Sequence, residues 1–406
     1  MANVSSSNGL EKRPKLRFPG FDEPWKPVIL SSILHERNEY AEKDGTYEHA
    51  TLSKEGIYGK TARYDRDFLV STENKKYKVT HYNDLCYNPA NLKFGVICLN
   101  KYGDAIFSPI YVTFEVDEEA DVDFIGANVT RWDFINHALR FQQGTVYERM
   151  AVSSEDFLSI QCYLPSKNEQ VHISSLIRVL DNRIEKQQSY VDALKKYKRG
   201  FISEVLKQKL ILSREGEKWE EVSLSDVADG FEYGMNAAAT SFDGEHKYIR
   251  ITDIDDDAHT YIASAPVSPS GDLEEKYRVR ENDILFARTG ASVGKSYLYR
   301  KTDGDLFFAG FLIRIHVKEG VDSGYVFLNT LTEDYDKWVL LESARSGQPG
   351  INAEQYKRYS FKLPPLKIQK QISGIAQKMD EQIKREYLCL HLLQKQRDGM
   401  LQQLFI

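Results

Sequence analysis

The sequence predicts an α+β protein: two strand-rich, α/β-mixed domains separated by two long helices that pair as an antiparallel coiled coil. The main observation is an internal repeat, in which residues 164–206 recur 199 positions later as residues 363–405, with ten of 43 aligned positions identical. Each copy follows a segment of roughly 150 residues in which short β-branched and aromatic runs alternate with turn residues. Similar helices that alternate with dissimilar globular segments indicate a tandem duplication.

Both copies of the repeat have the heptad pattern of a coiled coil, because apolar residues recur at alternating steps of four and three. In the first copy these positions are Ile173, Ile177, Leu180, Ile184, Gln187, Val191, Leu194, Lys198, Phe201 and Val205. In the second they are Ile372, Ala376, Met379, Ile383, Glu386, Leu390, Leu393, Arg397, Met400 and Leu404. Polar residues interrupt both copies at the same two places, which favours a single register. The alternative is two surface helices of one larger fold.

The segments before the helices predict compact, strand-rich domains. Typical strand runs are KYKVTHY from Lys76, IYVTFEV from Ile110 and DILFART from Asp283. The pattern W-x-x-V-x-L-S occurs from Trp25 and again from Trp219, so the duplication includes the starts of the domains. The predicted divisions are a disordered lead over 1–16, domains over 17–163 and 213–362, and helical spacers over 164–212 and 363–406.

Composition is that of a soluble globular protein of two or more domains. No apolar run approaches the roughly 18 residues needed to span a membrane, and the N-terminus has no signal-peptide core. The four cysteines (Cys86, Cys98, Cys162 and Cys389) form no C-x-x-C pair, which favours the reducing cytoplasm and argues against a zinc site. The net charge is −6, but residues 161–212 carry +5, residues 363–406 carry +3, and the remainder carries −14. Binding to nucleic acid would therefore need local basic patches or partner proteins.

Five strings in a fixed order resemble the DNA-specificity (S) subunits of type I restriction–modification systems, over nearly the full length of the chain. They are RFPGFDEPWKPVIL from Arg17, YIRITDI from Tyr248, NDILFARTGASVGKS from Asn282, GQPGINAEQYKRYSFKLPPL from Gly347, and the terminal MLQQLF from Met400. The first domain departs further from the family pattern, at NDLCYNPANLKFGVI from Asn83 and RMAVSSEDFLSIQCYLPS from Arg149.

This resemblance implies that each domain is a target recognition domain for one half of a bipartite double-stranded DNA sequence. It also implies that the chain is a non-catalytic cytoplasmic subunit whose helices dock two modification subunits. Those partners would bring S-adenosylmethionine and methylate adenine, and restriction subunits, where present, would use ATP with Mg. Two alternatives belong to other classes: a coiled-coil adaptor between proteins, and a stand-alone methyltransferase.

Motifs that could indicate catalysis do not fit their chemistry. Gly290–Ser296 resembles a phosphate-binding loop but has three residues, not four, between its glycines. Asn88-Pro89-Ala90 lacks the second proline and the aromatic residue of an aminomethyltransferase motif. Glu274 and Lys276, with Asp257 upstream, could mimic the acidic cluster of a nuclease, but such E-x-K triplets are common by chance in a chain that is 28% charged. The nine histidines have no metal-ligand spacing. The sequence predicts no catalytic, cofactor or metal site in this chain.

Side chains that could contact DNA are those whose donors match base edges or phosphates. In the first domain the candidates are Lys54, Tyr58, Lys60, Arg63, Arg66, Asn91 and Lys93. In the second they are Arg250, Arg288, Thr289, Lys295, Arg345, Gln348 and Asn352. The alternative for each is a solvated surface charge or a turn-capping polar residue.

Overall fold

The structure is a computed structural model that describes residues 12–60, 76–143, 150–207, 218–344 and 348–406. The chain divides into a first unit, Met1–Gln187 with Cys389–Ile406, and a second unit, Gln188–Leu388. Both long helices of the repeat cross this division, so each contributes a part to each unit.

The first unit contains a four-stranded sheet, a five-stranded sheet and a two-stranded pair. Its strands are β1 (Lys26–Ile29), β2 (Leu34–Glu36), β3 (Tyr40–Ala41), β4 (Glu48–Leu52), β5 (Ile57–Gly59), β6 (Tyr77–Thr80), β7 (Leu85–Tyr87), β8 (Ile97–Leu99), β9 (Ala105–Phe107), β10 (Val112–Val116) and β11 (Gln161–Leu164). Its helices are α1 (Val122–Val129), α2 (Trp132–Ala138), α3 (Ser154–Leu158), the first part of α4 (Lys167–Leu206) and the last part of α9 (Leu366–Leu404). The sheet orders are β2-β10-β7-β8, β3-β6-β9-β4-β5 and β1-β11.

The second unit repeats the four-stranded sheet and the two-stranded pair. Its strands are β12 (Glu220–Ser223), β13 (Ala228–Tyr233), β14 (Ala239–Ser241), β15 (Lys247–Ile249), β16 (Val267–Pro269), β17 (Asp283–Ala287), β18 (Ser296–Leu298), β19 (Leu306–Phe308), β20 (Leu312–Val317) and β21 (Ser360–Leu363). Its helices are the second part of α4, α5 (Leu224–Val227), α6 (Ser323–Asn329), α7 (Glu333–Glu342), α8 (Ala353–Lys357) and most of α9 (Leu366–Leu404). The sheet orders are β13-β20-β17-β18, β12-β21, β14-β16 and β15-β19.

The duplication therefore extends into the two domains, although their sequences have diverged. The order β2-β10-β7-β8 matches β13-β20-β17-β18 strand for strand, and β1-β11 matches β12-β21. The same local structure precedes both central strands, where Asn83 (φ 74°) and Asn282 (φ 71°) adopt the left-handed conformation that asparagine tolerates. Each asparagine is followed by a buried aspartate, Asp84 or Asp283. The tandem duplication predicted from the helices is confirmed.

Each unit has its own hydrophobic core, and both long helices contribute to it. In the first unit, Ile173 and Ile177 of α4 join a core that includes Trp25 and Phe114. In the second unit, Val205 of α4 and Ile368 and Ile372 of α9 join the core that includes Tyr325 and Tyr356. Burial of one such aliphatic side chain stabilises the fold by roughly 1.5–3 kcal/mol, so the helices are integral to both units.

The heptad positions lie where the sequence predicts, since none of them is exposed on either helix. Within the second unit, Lys198 of α4 donates to Asp380 of α9 at 2.6 Å. Within the first unit, Arg397 of α9 forms an ion pair with Asp181 of α4. The two pairs occupy the same positions of the repeat with the helices exchanged, which requires that α4 and α9 run antiparallel. The predicted antiparallel coiled coil is confirmed.

The helices begin three residues later than the repeat itself. Leu164 and Leu363 belong to β11 and β21, where they pair with Lys26 and Glu220 respectively. A proline follows each strand, at 165 and 364, and its missing N–H and fixed φ suit a helix entry rather than continued pairing.

A glutamine near the start of each helix binds the adjacent domain in the same way. The Gln170 carbonyl oxygen accepts from the backbone N–H of Asp121 at 2.9 Å, and its amide donates to Pro165 O at 3.0 Å. Gln369 accepts from the backbone N–H of Asp322 at 2.9 Å and donates to its own preceding proline at 2.7 Å. Asp121 and Asp322 are the N-caps of α1 and α6, so each long helix is fixed to a short helix of its own unit.

The predicted lead over 1–16 is only partly within the described residues. Residues 1–11 lie outside them, whereas Leu16 donates its backbone N–H to Gln403 O at 2.9 Å and packs against the first core. The domain therefore begins before Arg17. Among the helices in the described part of the chain, none is both long enough and apolar enough to cross a membrane.

Candidate nucleic-acid interface

The loop between β17 and β18 carries three of the predicted DNA-contacting residues, Arg288, Thr289 and Lys295. Gly290 and Gly294 adopt φ of 80° and 88°, which favours glycine at both positions. A Cβ at Gly294 would lie 2.6 Å from the Val339 side chain, so this residue also allows the loop to pack closely on α7. Both positions therefore favour glycine, through positive φ at each and through close packing on α7 at Gly294.

Arg288 is held in place by an aromatic ring and two backbone groups. Its guanidinium lies 4.7 Å from the ring centroid of Tyr233 and donates to Gly310 O at 3.4 Å. Its backbone N–H donates to Phe311 O at 3.0 Å. Among the residues that the structure describes, no carboxylate lies within 4 Å of the guanidinium, so its charge has no anionic partner there. A cation that is positioned but not neutralised suits a phosphate or a guanine edge.

A second stretch, residues 348–352, lies beside this loop. Gly290 N–H donates to Pro349 O at 3.0 Å, and Ile351 N–H donates to Arg288 O at 2.9 Å. Thr289 forms an isolated bridge with Gly350. We name this set of paired segments the Arg288 cluster. It comprises Tyr233, Arg288–Gly290, Gly310–Phe311 and Gln348–Asn352.

The two predicted amides of the Arg288 cluster differ in what their side chains do. Gln348 is exposed, and its amide nitrogen lies against Gly290, 3.3 Å from where a Cβ would be. Asn352 is the N-cap of α8, where its side-chain oxygen accepts from Gln355 N–H at 2.9 Å. Gln348 therefore retains both donor and acceptor capacity for a base edge, whereas the Asn352 oxygen is already engaged. Arg345 lies outside the described residues.

The other two predicted cations of the second domain are engaged within the domain. Arg250 makes two 2.8 Å hydrogen bonds to the carboxylate of Asp253. Lys295 pairs with Asp256 and donates to Ile254 O at 3.0 Å, and its side chain is only 10% exposed. Both side chains thus stabilise the segment 250–256, and among the described residues neither forms a side-chain hydrogen bond or ion pair with the Arg288 cluster.

The predicted residues of the first domain fall into two groups. Lys54, Tyr58 and Lys60 lie on the β4–β5 hairpin at the edge of the five-stranded sheet, with Lys54 and Tyr58 exposed. Asn91 and Lys93 are exposed on the turn between β7 and β8, the position that the Arg288 loop occupies in the second unit. Arg63 and Arg66 lie outside the described residues.

Sequence reasoning missed the apolar members of these surfaces. Tyr233 supports Arg288, and Phe311, which is 63% exposed, follows directly after Gly310. Ile110 has the same place in the first unit and is 59% exposed. The residues predicted from the sequence all carry hydrogen-bond donors for base edges or phosphates, and apolar side chains have none. Alignment of the two halves through Phe107 and Phe308, at an offset of 201, would have brought Ile110 and Phe311 together.

Comparisons with known proteins find similarity to type I restriction–modification specificity subunits. Residues 216–388 match a family model described as the type I restriction modification DNA specificity domain. Two curated relatives from Methanocaldococcus jannaschii are each 26% identical: the MjaX type I restriction enzyme specificity subunit over 200 residues, 47% of this chain and 46% of the relative, and the MjaVIII specificity subunit over 128 residues, 31% and 29%. The aligned stretches thus span less than half of either relative.

Two solved structures share the fold over nearly the full chain. One is the S subunit of a type I restriction–modification system from M. genitalium, with a TM-score of 0.59 and 15% identity, covering 97% of this chain and 99% of that one. The other comes from work on complex assembly and conformational transition of the type I R-M system, with a TM-score of 0.57 and 15% identity, covering 95% and 98%. At this identity they confirm the architecture.

Proposed function

We propose that the chain is the DNA-specificity subunit of a type I restriction–modification system, because residues 216–388 match the model of that domain and both curated relatives are specificity subunits. Each unit recognises one half of a bipartite duplex target. The chain has no catalytic site of its own, and the modification subunits supply S-adenosylmethionine and methylate adenine. Where restriction subunits join the complex, they bring ATP and Mg. The cytoplasm is the compartment in which this assembly acts.

The main support for the proposal is that the two units share one four-stranded sheet topology but carry different loops on it. The order β2-β10-β7-β8 recurs as β13-β20-β17-β18. At equivalent positions, however, one unit has the turn with Asn91 and Lys93, and the other has the loop with Arg288 and Thr289. Different donors on the same framework are what recognition of two different half-sites by one chain requires.

The long helices supply the docking surface for the modification subunits. Seven large apolar side chains are more than 40% exposed on them: Val171, Val179, Tyr190 and Tyr197 on α4, and Tyr387, Leu388 and Leu392 on α9. Several exposed apolar residues along one element favour burial against another protein. Replacement of Tyr197 and Leu392 by glutamate would therefore reduce retention of the modification subunits in a co-purification.

These exposed residues equally favour the second candidate, a coiled-coil adaptor without DNA specificity. Arg288 distinguishes the two functions, because an adaptor does not require a cation that is positioned without a carboxylate partner. A mobility-shift titration over salt concentration decides between them. A DNA-binding subunit loses affinity with a log–log slope of about −0.9 for each phosphate contact, whereas an adaptor shows no shift at any salt concentration.

The decisive experiment is co-expression of the chain with its modification subunits, followed by genome-wide mapping of methylated adenines. The expected result is a single bipartite motif with a fixed spacer. Omission of this chain should abolish the methylation. Methylation without a bipartite motif, or unchanged methylation when the chain is omitted, would contradict the proposed function.

A further inference from the structure

Each unit displays one exposed apolar side chain at the same place in its four-stranded sheet. Tyr87 and Phe286 are equivalent residues of β7 and β17, and they pair with Val112 and Ile313. Counting back two residues from each partner reaches Ile110 and Phe311. These side chains are 59% and 63% exposed. The exposure is thus repeated at equivalent positions, although the sequences around them, Ser-Pro-Ile and Ala-Gly-Phe, differ.

The exposed Phe311 ring projects from a fixed backbone. Gly310 N–H donates to Met235 O at 2.8 Å, and Leu312 N–H donates to Ala309 O at 2.9 Å. Ala309 and Leu312, on either side, are buried. Because the backbone is anchored before and after Phe311, the hydrogen-bonded turn itself fixes the ring in its exposed position.

Close approach of a neighbouring strand fixes this turn further. A Cβ at Gly234 would lie 2.2 Å from Ala309 O and 2.4 Å from Phe308 O. Gly234 N–H donates to Leu312 O at 3.2 Å. Only glycine allows β13 to approach the turn so closely, so the turn and the Tyr233 ring form one rigid surface.

The exposed ring adjoins the residue best placed to contact DNA. Arg288 donates its backbone N–H to Phe311 O at 3.0 Å, and its guanidinium donates to Gly310 O. A phenyl or sec-butyl group cannot hydrogen-bond to a phosphate or a base edge. On a DNA-facing surface it gains free energy by contact with a thymine methyl group or by insertion between bases, and large apolar side chains are the usual wedges at base steps.

We infer that Phe311, and Ile110 in the other unit, insert into the base stack of the half-site bound by their own unit. The inference rests on the proposed function, since it requires that this face meets DNA. The anchored backbone beneath Phe311 allows its ring to separate two base pairs without itself being displaced. Each insertion unstacks one base-pair step, and its free-energy cost depends on how easily that step unstacks. The two side chains therefore contribute to sequence specificity even at base pairs to which the protein makes no hydrogen bond.

The test uses the complex with its modification subunits and duplexes carrying the mapped methylation motif. The base analogue 2-aminopurine is placed singly along each half-site, and its fluorescence reports unstacking. The unmodified complex should raise the fluorescence at one step in each half-site. Phe311→Ala should abolish the rise in the second half-site alone and weaken specific binding about tenfold. Ile110→Ala should act in the first half-site alone, and Phe311→Leu should retain much of the signal.

Two controls separate this inference from loss of folding and from failure of the proposed function. Ile262→Ala removes another exposed apolar side chain of the second unit (39% exposed) and should change neither fluorescence nor affinity. Thermal unfolding of Phe311→Ala should match that of the parent, because the ring makes little buried contact. If the parent complex binds no specific DNA, the proposed function fails. If the parent binds specifically without any rise in fluorescence, insertion is wrong.

A further arm distinguishes insertion from contact in the groove. Deoxyuridine replaces each thymine of the second half-site in turn, which removes the 5-methyl group. If one such replacement reproduces the loss of affinity in Phe311→Ala while no base unstacks, Phe311 contacts a methyl group and the inference is overturned.

Discussion

Two cations of a single loop show how position decides what a charged residue can do. Arg288 lies over the Tyr233 ring with no carboxylate beside it among the described residues, whereas Lys295 is neutralised by Asp256 and nearly buried. Their residue types alone do not distinguish them. The pKa of Asp256 is lowered because the Lys295 ammonium donates a hydrogen bond to it, which identifies this pair as part of the domain's own structure.

We predict that Arg288→Ala weakens specific binding by about 1–3 kcal/mol and relaxes recognition in the second half-site alone. The reason is that a guanidinium can donate two hydrogen bonds to a guanine. Lys295→Ala is the matched variant in the same loop. It should lower the thermal unfolding midpoint and leave the methylated motif unchanged, because its ammonium is used within the domain.

Arg288→Lys provides a charge-preserving control. It should retain the salt dependence of binding yet still relax the motif, since an ammonium cannot make the two-pronged contact. Binding curves and methylation maps of all three variants decide the matter. An unaltered motif in Arg288→Ala would remove this residue from the recognition surface.

We also predict a pH dependence of stability that arises at His246. The pKa of His246 is raised because its ring is hydrogen-bonded to the Asp243 carboxylate at 2.9 Å. The pKa of Asp243 is lowered, chiefly by the backbone N–H of Glu245, so the carboxylate stays ionised. The stabilisation that protonated His246 gains from Asp243 is fully present below the ordinary histidine pKa of 6.5. It is lost as the pH rises through the raised pKa of His246 in the folded protein. His246→Gln should lower the unfolding midpoint near pH 6 and change it little near pH 9, in thermal melts. An equal loss at both values would contradict the assignment.

At the scale of elements, the long helices carry the same polar contact twice. Lys198 meets Asp380 in the second unit, and Arg397 meets Asp181 in the first. Sequence analysis identified both cations as interruptions of the heptad pattern, and the structure explains them. A charged residue among apolar positions is satisfied only in the register that brings an aspartate opposite, so slipped pairings leave it without a partner.

The two aspartates provide a matched comparison. Asp380→Ala should lower the free energy of unfolding by about 1 kcal/mol, and Asp181→Ala by less. The difference follows from exposure: Lys198 is 14% exposed and Arg397 is 31% exposed, so loss of Asp380 leaves the more buried cation unpaired. Denaturant unfolding of both variants measures which one loses more free energy of unfolding. A larger loss in Asp181→Ala would show that these contacts do not set the stability of the helix pair.

The heptad positions themselves allow a stronger test. Ile184 and Ile383 occupy the same position in the two copies, and both are partly buried. Replacement of both by aspartate places unpaired charge in the helix interface and should cost several kcal/mol, with loss of partner binding. Replacement of the exposed Asn182 and Gln394 by aspartate is the surface control. An unchanged melting temperature in the first double variant would refute the coiled coil.

At the scale of the whole molecule, the prediction is that the two recognition domains act independently on separate half-sites. Exchange of residues 17–163 for the corresponding domain of a relative should alter one half of the methylated motif and preserve the other. The chimera must keep an arginine at position 17, because Arg17 makes a two-pronged ion pair with Glu169 of α4. A chimera that lacks this arginine leaves the Glu169 carboxylate buried without its cation. A change in both halves of the motif would contradict modular recognition.

The sequence was sufficient to predict the two long helices and the duplication, and insufficient to predict the candidate DNA-binding surfaces. A heptad repeat is a local pattern, so α4 and α9 could be predicted apart from their first residues. Those first residues depend on a distant strand, since Leu164 pairs with Lys26. Whether the charge of a cation is free to contact DNA also depends on distant segments. The Lys295 ammonium, for example, donates to Ile254 O, 41 residues earlier in the chain. The roles of the candidate DNA-contacting residues stay predictions.

The bond between each glutamine and its neighbouring short helix has an evolutionary consequence. Gln170 and Gln369 accept a backbone N–H, which every residue except proline possesses, and not a side chain. A recombined gene that joins a foreign domain to the resident helix therefore preserves this junction without any compensating mutation in the helix. Under the proposed function, one genetic exchange would then change the target sequence in a population, while the proposed docking surface on the long helices stays the same.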